Sequence, residues 1–242
     1  MSVQSSSKAE QVTGLEKYET ESANYALLRR LAPVIRHNMA GTLQPIAMVA
    51  AMLERRLQKA DADPETLLKN ARDIMALSKE AAASCVDLMS WLAPRENRLI
   101  KADAGIAECL DMVMTQLSFR GFSVVDSTGS LAAQMPQSAL RNVLTVALIS
   151  LTDAATLPGK VFLGAEFADG ILSLSIELKT SDAADLARAA ENPPYRRLEW
   201  HDVQALARQE SVRLIREENR ITLQFEATAT TEPQALAETV QT

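Results

Sequence analysis

The sequence predicts an α-helical hairpin that pairs with a second copy into a dimeric four-helix bundle, followed by an α+β sandwich. Three observations carry this. Two long stretches, about 21–60 and 65–92, repeat apolar residues every three or four positions, with one break between them at "DADPE". From about Leu99 the texture changes to short alternating runs and turn residues set between further helical stretches. Aromatics are only 4 % of the 242 residues, while Ala, Leu and Met are plentiful, a mix that favours helix.

Residues 1–20 are polar and Ser-rich and read as a flexible arm. The first helix then carries Leu28, Leu31, Ile35, Met39, Leu43, Ile46, Ala50, Leu53 and Leu57 on one face. Pro64, just after the break, suits a first helical position. The second helix offers Leu67, Ala71, Ile74, Met75, Ser78, Ala82, Cys85, Met89 and Leu92, and "APREN" ends it. Two long helices and a short turn make an αα-hairpin over 21–95. One hairpin cannot enclose both stripes. Two hairpins can, so a homodimer is expected, the alternative being that the C-terminal domain covers the stripe.

The second unit spans 96–228. "DAGIAECLDMVMTQLSFRG" reads as helix and "FSVVDS" as strand. "MPQSALRNVLTVALISLTDAA" is a strongly apolar helix, with Ser138 as its expected cap. "KVFLGAEFADGILSLSIELKT" is a strand pair around Asp169-Gly170, and "SVRLIREENRITLQFEA" is a second hairpin. Between them lies a polar helical stretch broken at Pro193-Pro194. The expected result is helices on one face of a small mixed sheet. Residues 229–242 read as a flexible tail.

Composition narrows the function classes. A net charge of −6 argues against nucleic-acid binding. No stretch approaches the roughly 18 apolar residues of a membrane span, and the N-terminus has no apolar leader, so a cytoplasmic protein is expected. Two cysteines and two scattered histidines make no zinc pattern, so no metal site is expected. Cys85 and Cys109 sit in periodic apolar segments and read as small core residues.

The candidate site is His37. Counting ~100° per residue, it points roughly 170° away from the apolar stripe and faces solvent. Pro33, Ala40, Gly41 and Gln44 share its face and are small or uncharged, while Val34, Pro45 and Met48 rim it. Gly41 costs about 1 kcal/mol in mid-helix against alanine, and clearance for a docking partner would justify that cost. Arg29, Arg30 and Arg36 precede the histidine as partner-facing or solvating charges. His201 reads as a surface position, and Trp91 and Trp200 as partial core.

The order of elements, together with "RHNMAGTL", resembles a sensor histidine kinase core over roughly residues 25–227. In such kinases a histidine is followed by an acidic residue, three variable positions, a proline and an apolar residue. Here His37 and Leu43 match, Asn38 replaces the acid, and Pro45 comes three positions late. The apolar helix resembles the one that supplies a magnesium-binding asparagine, a position that holds Ser150 here. The glycine loops that cradle phosphate are missing, since the last glycine of the chain is Gly170. Asn38 cannot act as a base. The pattern resembles the dimeric histidine phosphotransferases, which keep the histidine hairpin beside a degenerate ATP-binding-like domain.

That resemblance implies a phosphorelay intermediate. His37 would carry phosphate between receiver-domain aspartates, with Pro33, Val34, Arg36, Asn38, Ala40, Gly41, Gln44, Pro45 and Met48 meeting the partner. It implies no cofactor of the chain's own, because the receiver brings magnesium, and response-regulator receivers or a sensor kinase as partners. The competing reading is a non-catalytic kinase-like module that regulates a histidine kinase or response regulator. An active kinase with unusual loops is the third.

Overall fold

The computed structural model describes residues 3–59, 63–92, 98–180 and 195–230. The "APREN" break, the helical stretch before Pro193-Pro194 and the chain after Thr230 lie outside the described residues. Helix α1 spans Val3–Leu57 and α2 spans Pro64–Leu92. Helix α1 therefore reaches back through the segment read as a flexible arm. Once a helix is nucleated, each added residue needs only one more backbone bond, so a polar sequence is no barrier. Tertiary contacts begin within that segment, where Arg208 donates to Glu19 at 2.9 Å. Asp63 opens α2 by accepting from the Thr66 hydroxyl and from the backbone N–H groups of Glu65 and Thr66. The Thr66 hydroxyl and these amides hold its carboxyl below the ordinary value. Pro64 takes the first helical position, as expected.

The hairpin divides the predicted stripe in two. Ile35, Met39, Thr42, Ile46, Val49, Leu53 and Arg56 of α1 are buried or half-buried. So are Leu67, Asn70, Ile74, Leu77, Ala81, Ser84 and Leu88 of α2. Both series alternate steps of three and four, the spacing of two helices packed knobs-into-holes. Arg56 donates to Asn70 Oδ1 at 3.2 Å across this seam. Of the rest of the stripe, Leu31 is buried and Leu28 and Cys85 are half-buried, while Leu43, Leu57, Met75 and Met89 face outward and are exposed. A 3.6-residue count merges these faces, because a 3.5-residue seam drifts slowly around the helix.

Beyond the hairpin come β1 (Leu99–Lys101), α3 (Ala102–Phe119), β2 (Ser123–Asp126), β3 (Ala133–Pro136) and α4 (Gln137–Ala154). There follow β4 (Gly159–Ala168), β5 (Ile171–Thr180), α5 (Trp200–Gln209), β6 (Arg213–Arg216), β7 (Arg220–Glu226) and β8 (Thr228–Ala229). The main sheet has order β2-β4-β5-β7-β6, with β2 parallel to β4 and the other pairs antiparallel. It is the mixed sheet expected. The hairpin between β4 and β5 turns at Asp169 (φ 52°) and Gly170 (φ 76°), two left-handed residues whose twist suits a two-residue connection.

A second sheet, β1-β3-β8, was not legible in the sequence because its strands are two to four residues long. Through β8, residues 228–229 are tied to β3, and the Thr230 N–H donates to the Ala132 carbonyl. Residue 229, expected to open a flexible tail, is therefore part of this sheet. Ser138 is not the cap of α4. The N-cap is Pro136, and the Ser138 hydroxyl donates to Glu210 instead.

The inner sheet face meets α3, α4 and α5 in one core that includes Leu140, Leu144, Leu148, Leu163, Leu174 and Phe225. Ala23, Leu27, Leu31 and Ile35 of α1 and Leu88 and Trp91 of α2 belong to the same core. The upper hairpin and the α+β unit thus share their hydrophobic interior.

Candidate functional site

Two buried arginines hold the hairpin in place around the candidate site. Arg30 of α1 forms a two-pronged ion pair with Asp153 at the end of α4, at 2.5 and 3.0 Å. The same carboxylate takes Arg120 from the end of α3 at 2.8 Å and the Leu198 backbone N–H at 2.9 Å. Burial pulls the Arg120 guanidinium below its ordinary value, and Asp153 opposes this. At the other end of α4, Arg141 donates to Glu108 of α3 and to Ser90 of α2, and lies over the Trp91 ring. A desolvated charge is tolerated only when it is paired in this way. Arg30 is therefore a structural residue, not the partner-facing or solvating charge the sequence suggested. Arg29 and Arg36 are exposed.

His37 is exposed on α1, two turns beyond Arg30. Among the described residues no hydrogen bond or ion pair reaches it. Pro33, Ala40, Gly41 and Gln44 are exposed around it, and Met48 is 60 % exposed one turn further along the same face. These five lie within ~60° of the histidine on a 100° wheel. Val34 and Pro45, both half-buried, flank that face. Arg36 and half-buried Asn38 stand ~100° to either side. The structure thus gathers the small and apolar residues on the face of His37 and sets those two at its margins. A Cβ at Gly41 would meet nothing within 4 Å, so internal packing does not demand glycine there. Pro45 has no N–H to offer the Gly41 carbonyl, which loses its helical partner beside the histidine. The result is an exposed imidazole on a helix face of low relief.

In the α+β unit, Ser150 and Asp153 line a cavity of about 240 Å³ with Leu198, Trp200 and Arg216. Asp153 is already engaged by two arginines and a backbone N–H. Among the described residues no cluster of three His, Cys, Asp or Glu side chains could hold a metal ion. His201 is a surface residue near Glu199 and Asp202, as expected. Trp91 is buried and Trp200 half-buried under Arg216. Burial pushes the Cys109 thiol up to about 12, which fits a core residue. Sequence reasoning missed the Asp153 and Arg141 clusters. Their only sequence signal is a charge inside an apolar helix face, and the partners lie far away in the chain.

No family model and no curated protein matches the chain. Among solved structures it is similar to the Acinetobacter baumannii histidine kinase AdeS, with 15 % identity over 75 % of this chain and 96 % of that one, TM-score 0.41. It is also similar to a histidine kinase from Burkholderia phymatum STM815, with 16 % identity over 85 % and 98 %, TM-score 0.41. A third is described as a bacterial phosphotransferase, with 16 % identity over 84 % and 95 %, TM-score 0.35.

Proposed function

We propose that this chain is a phosphorelay histidine phosphotransferase working as a homodimer. His37 takes a phosphoryl group from a receiver-domain aspartate and later gives it to another. In the forward step the lone pair of the unprotonated ring nitrogen forms the N–P bond. The acyl P–O bond breaks, and its electrons leave on the receiver carboxylate. The other ring nitrogen keeps its proton. Imidazole suits this because a nucleophilic fraction exists at physiological pH. The receiver supplies magnesium and its acidic pocket, so this chain contributes a positioned nucleophile and a surface.

The observation that carries the reading is His37 itself, exposed and unpartnered on a low face with bare Gly41 beside it. ATP-dependent autophosphorylation is not part of the proposal. Its support is the absence of glycine after Gly170, serine at position 150, and an Asp153 carboxylate already bonded to Arg30 and Arg120. Homodimerisation is supported by the outward apolar row on both helices, including Leu43, Met75 and Met89. The test is a phosphotransfer screen. Purified receiver domains are charged with labelled phosphate and mixed with the chain. Label that moves to the wild type and not to His37→Gln supports the relay. Binding without transfer selects the regulatory-module reading, and label from ATP alone selects the kinase.

A further inference from the structure

Helix geometry relates His37 to the α+β unit. Seven residues separate it from Arg30, so it lies ~10.5 Å further along α1 and points within ~20° of the same direction. At the level of Arg30 that direction is occupied. Arg30 is bonded to Asp153 at the end of α4. Arg29, ~80° to the other side of the His37 direction by the same count, lies under the Tyr195 ring at 4.7 Å. The end of the α+β unit therefore spans α1 on both sides of the line along which His37 points. It forms an overhang made of Tyr195–Leu198 and the end of α4. A folded partner of about 100 residues has a radius of gyration near 13 Å. Seated on His37, such a body extends past the ~10.5 Å that separates the histidine from the overhang.

The overhang is basic. Among the described residues Arg29, Arg196 and Arg197 are exposed there, with Glu199 as an exposed carboxylate beside them. Asp153 and Asp202 are turned inward, the first to Arg30 and Arg120 and the second to Arg196 and the Glu199 N–H. This local sign runs against the net charge of −6 of the whole chain. An acidic partner is repelled by the molecule at large and drawn to this end.

We propose that the basic overhang of Arg29 and Tyr195–Arg197 is the second half of the docking surface for the partner of His37, and that the partner presents acidic side chains to it. The inference rests on the phosphorelay reading. Its test uses the full chain and the receiver domain that transfers fastest to wild type in the screen above. Arg29→Glu should raise KM for the phosphorylated receiver, and Kd for the unphosphorylated one by calorimetry, on the order of three- to tenfold. It should leave kcat near wild type and flatten the salt dependence of binding. Arg29→Lys should restore most of the affinity. Arg213→Glu, on the open face of the sheet, should change neither constant. If Arg29→Glu melts early, Arg29→Gln with the same readouts replaces it. Wild-type KM, Kd and salt dependence in the charge variants would overturn the docking surface and leave the relay standing. If no receiver transfers to or binds wild type, both fall.

Discussion

An exposed imidazole contributes almost nothing to folding, so His37 can be removed at little structural expense. His37→Gln is expected to lose all uptake of acid-labile phosphate while stability stays within about 0.5 kcal/mol, read from thermal unfolding. His201→Gln should leave uptake intact. Asp153 is the opposite case, a carboxylate that costs little sequence and holds four elements together. Asp153→Ala strands Arg30 and Arg120 without their counter-ion and is expected to cost about 3–5 kcal/mol in denaturant unfolding. A loss under 1 kcal/mol would mean that water reaches these guanidinium groups. Cys109 offers a check on the core. With its thiol pushed up to about 12 by burial, it stays protonated at pH 8 and should resist alkylation in the native protein. The half-buried Cys85 should be the first to react.

At the scale of elements, the hairpin carries two apolar rows with different duties. One seam closes α1 on α2, and the other faces outward. Leu43→Asp or Met75→Asp should therefore separate the subunits while leaving helix content unchanged, measured by light scattering and circular dichroism. Ile46 and Leu53 are poorer choices for this purpose. They are half-buried inside the hairpin, and a charge there damages the protomer itself. A monomeric mass for wild type in dilute solution would remove the dimer. Gly41 tests clearance separately from chemistry. Gly41→Ala should stabilise α1 by up to about 1 kcal/mol, because open space surrounds the new methyl. Gly41→Trp should slow transfer by crowding His37, with the nucleophile still present.

The whole molecule depends on the core shared between hairpin and α+β unit. A fragment ending near residue 95 would expose Leu27, Leu31, Ile35 and Trp91, so it should aggregate or bind a hydrophobic dye rather than behave as an independent bundle. Calorimetric titration of the intact chain with magnesium and ATP is expected to show no saturable heat. Micromolar binding would revive the kinase reading.

Much of this was decided by local chemistry and was legible in the chain. The long helices follow from periodic apolar residues, the start of α2 from Pro64, and the β4–β5 turn from Asp169-Gly170. The exposure of His37 follows from its angle to the stripe. Each depends on residues a few positions apart, where geometry is set by the backbone alone. Tertiary structure decided the rest. It split one stripe into an inner seam and an outer row, because which side of a helix is covered depends on what packs there. It added the β1-β3-β8 sheet, whose strands are too short to show a period and exist only by pairing across the chain. It turned Arg30 from a surface charge into a buried tether, since its partner Asp153 lies 123 residues away and only folding brings the two charges together.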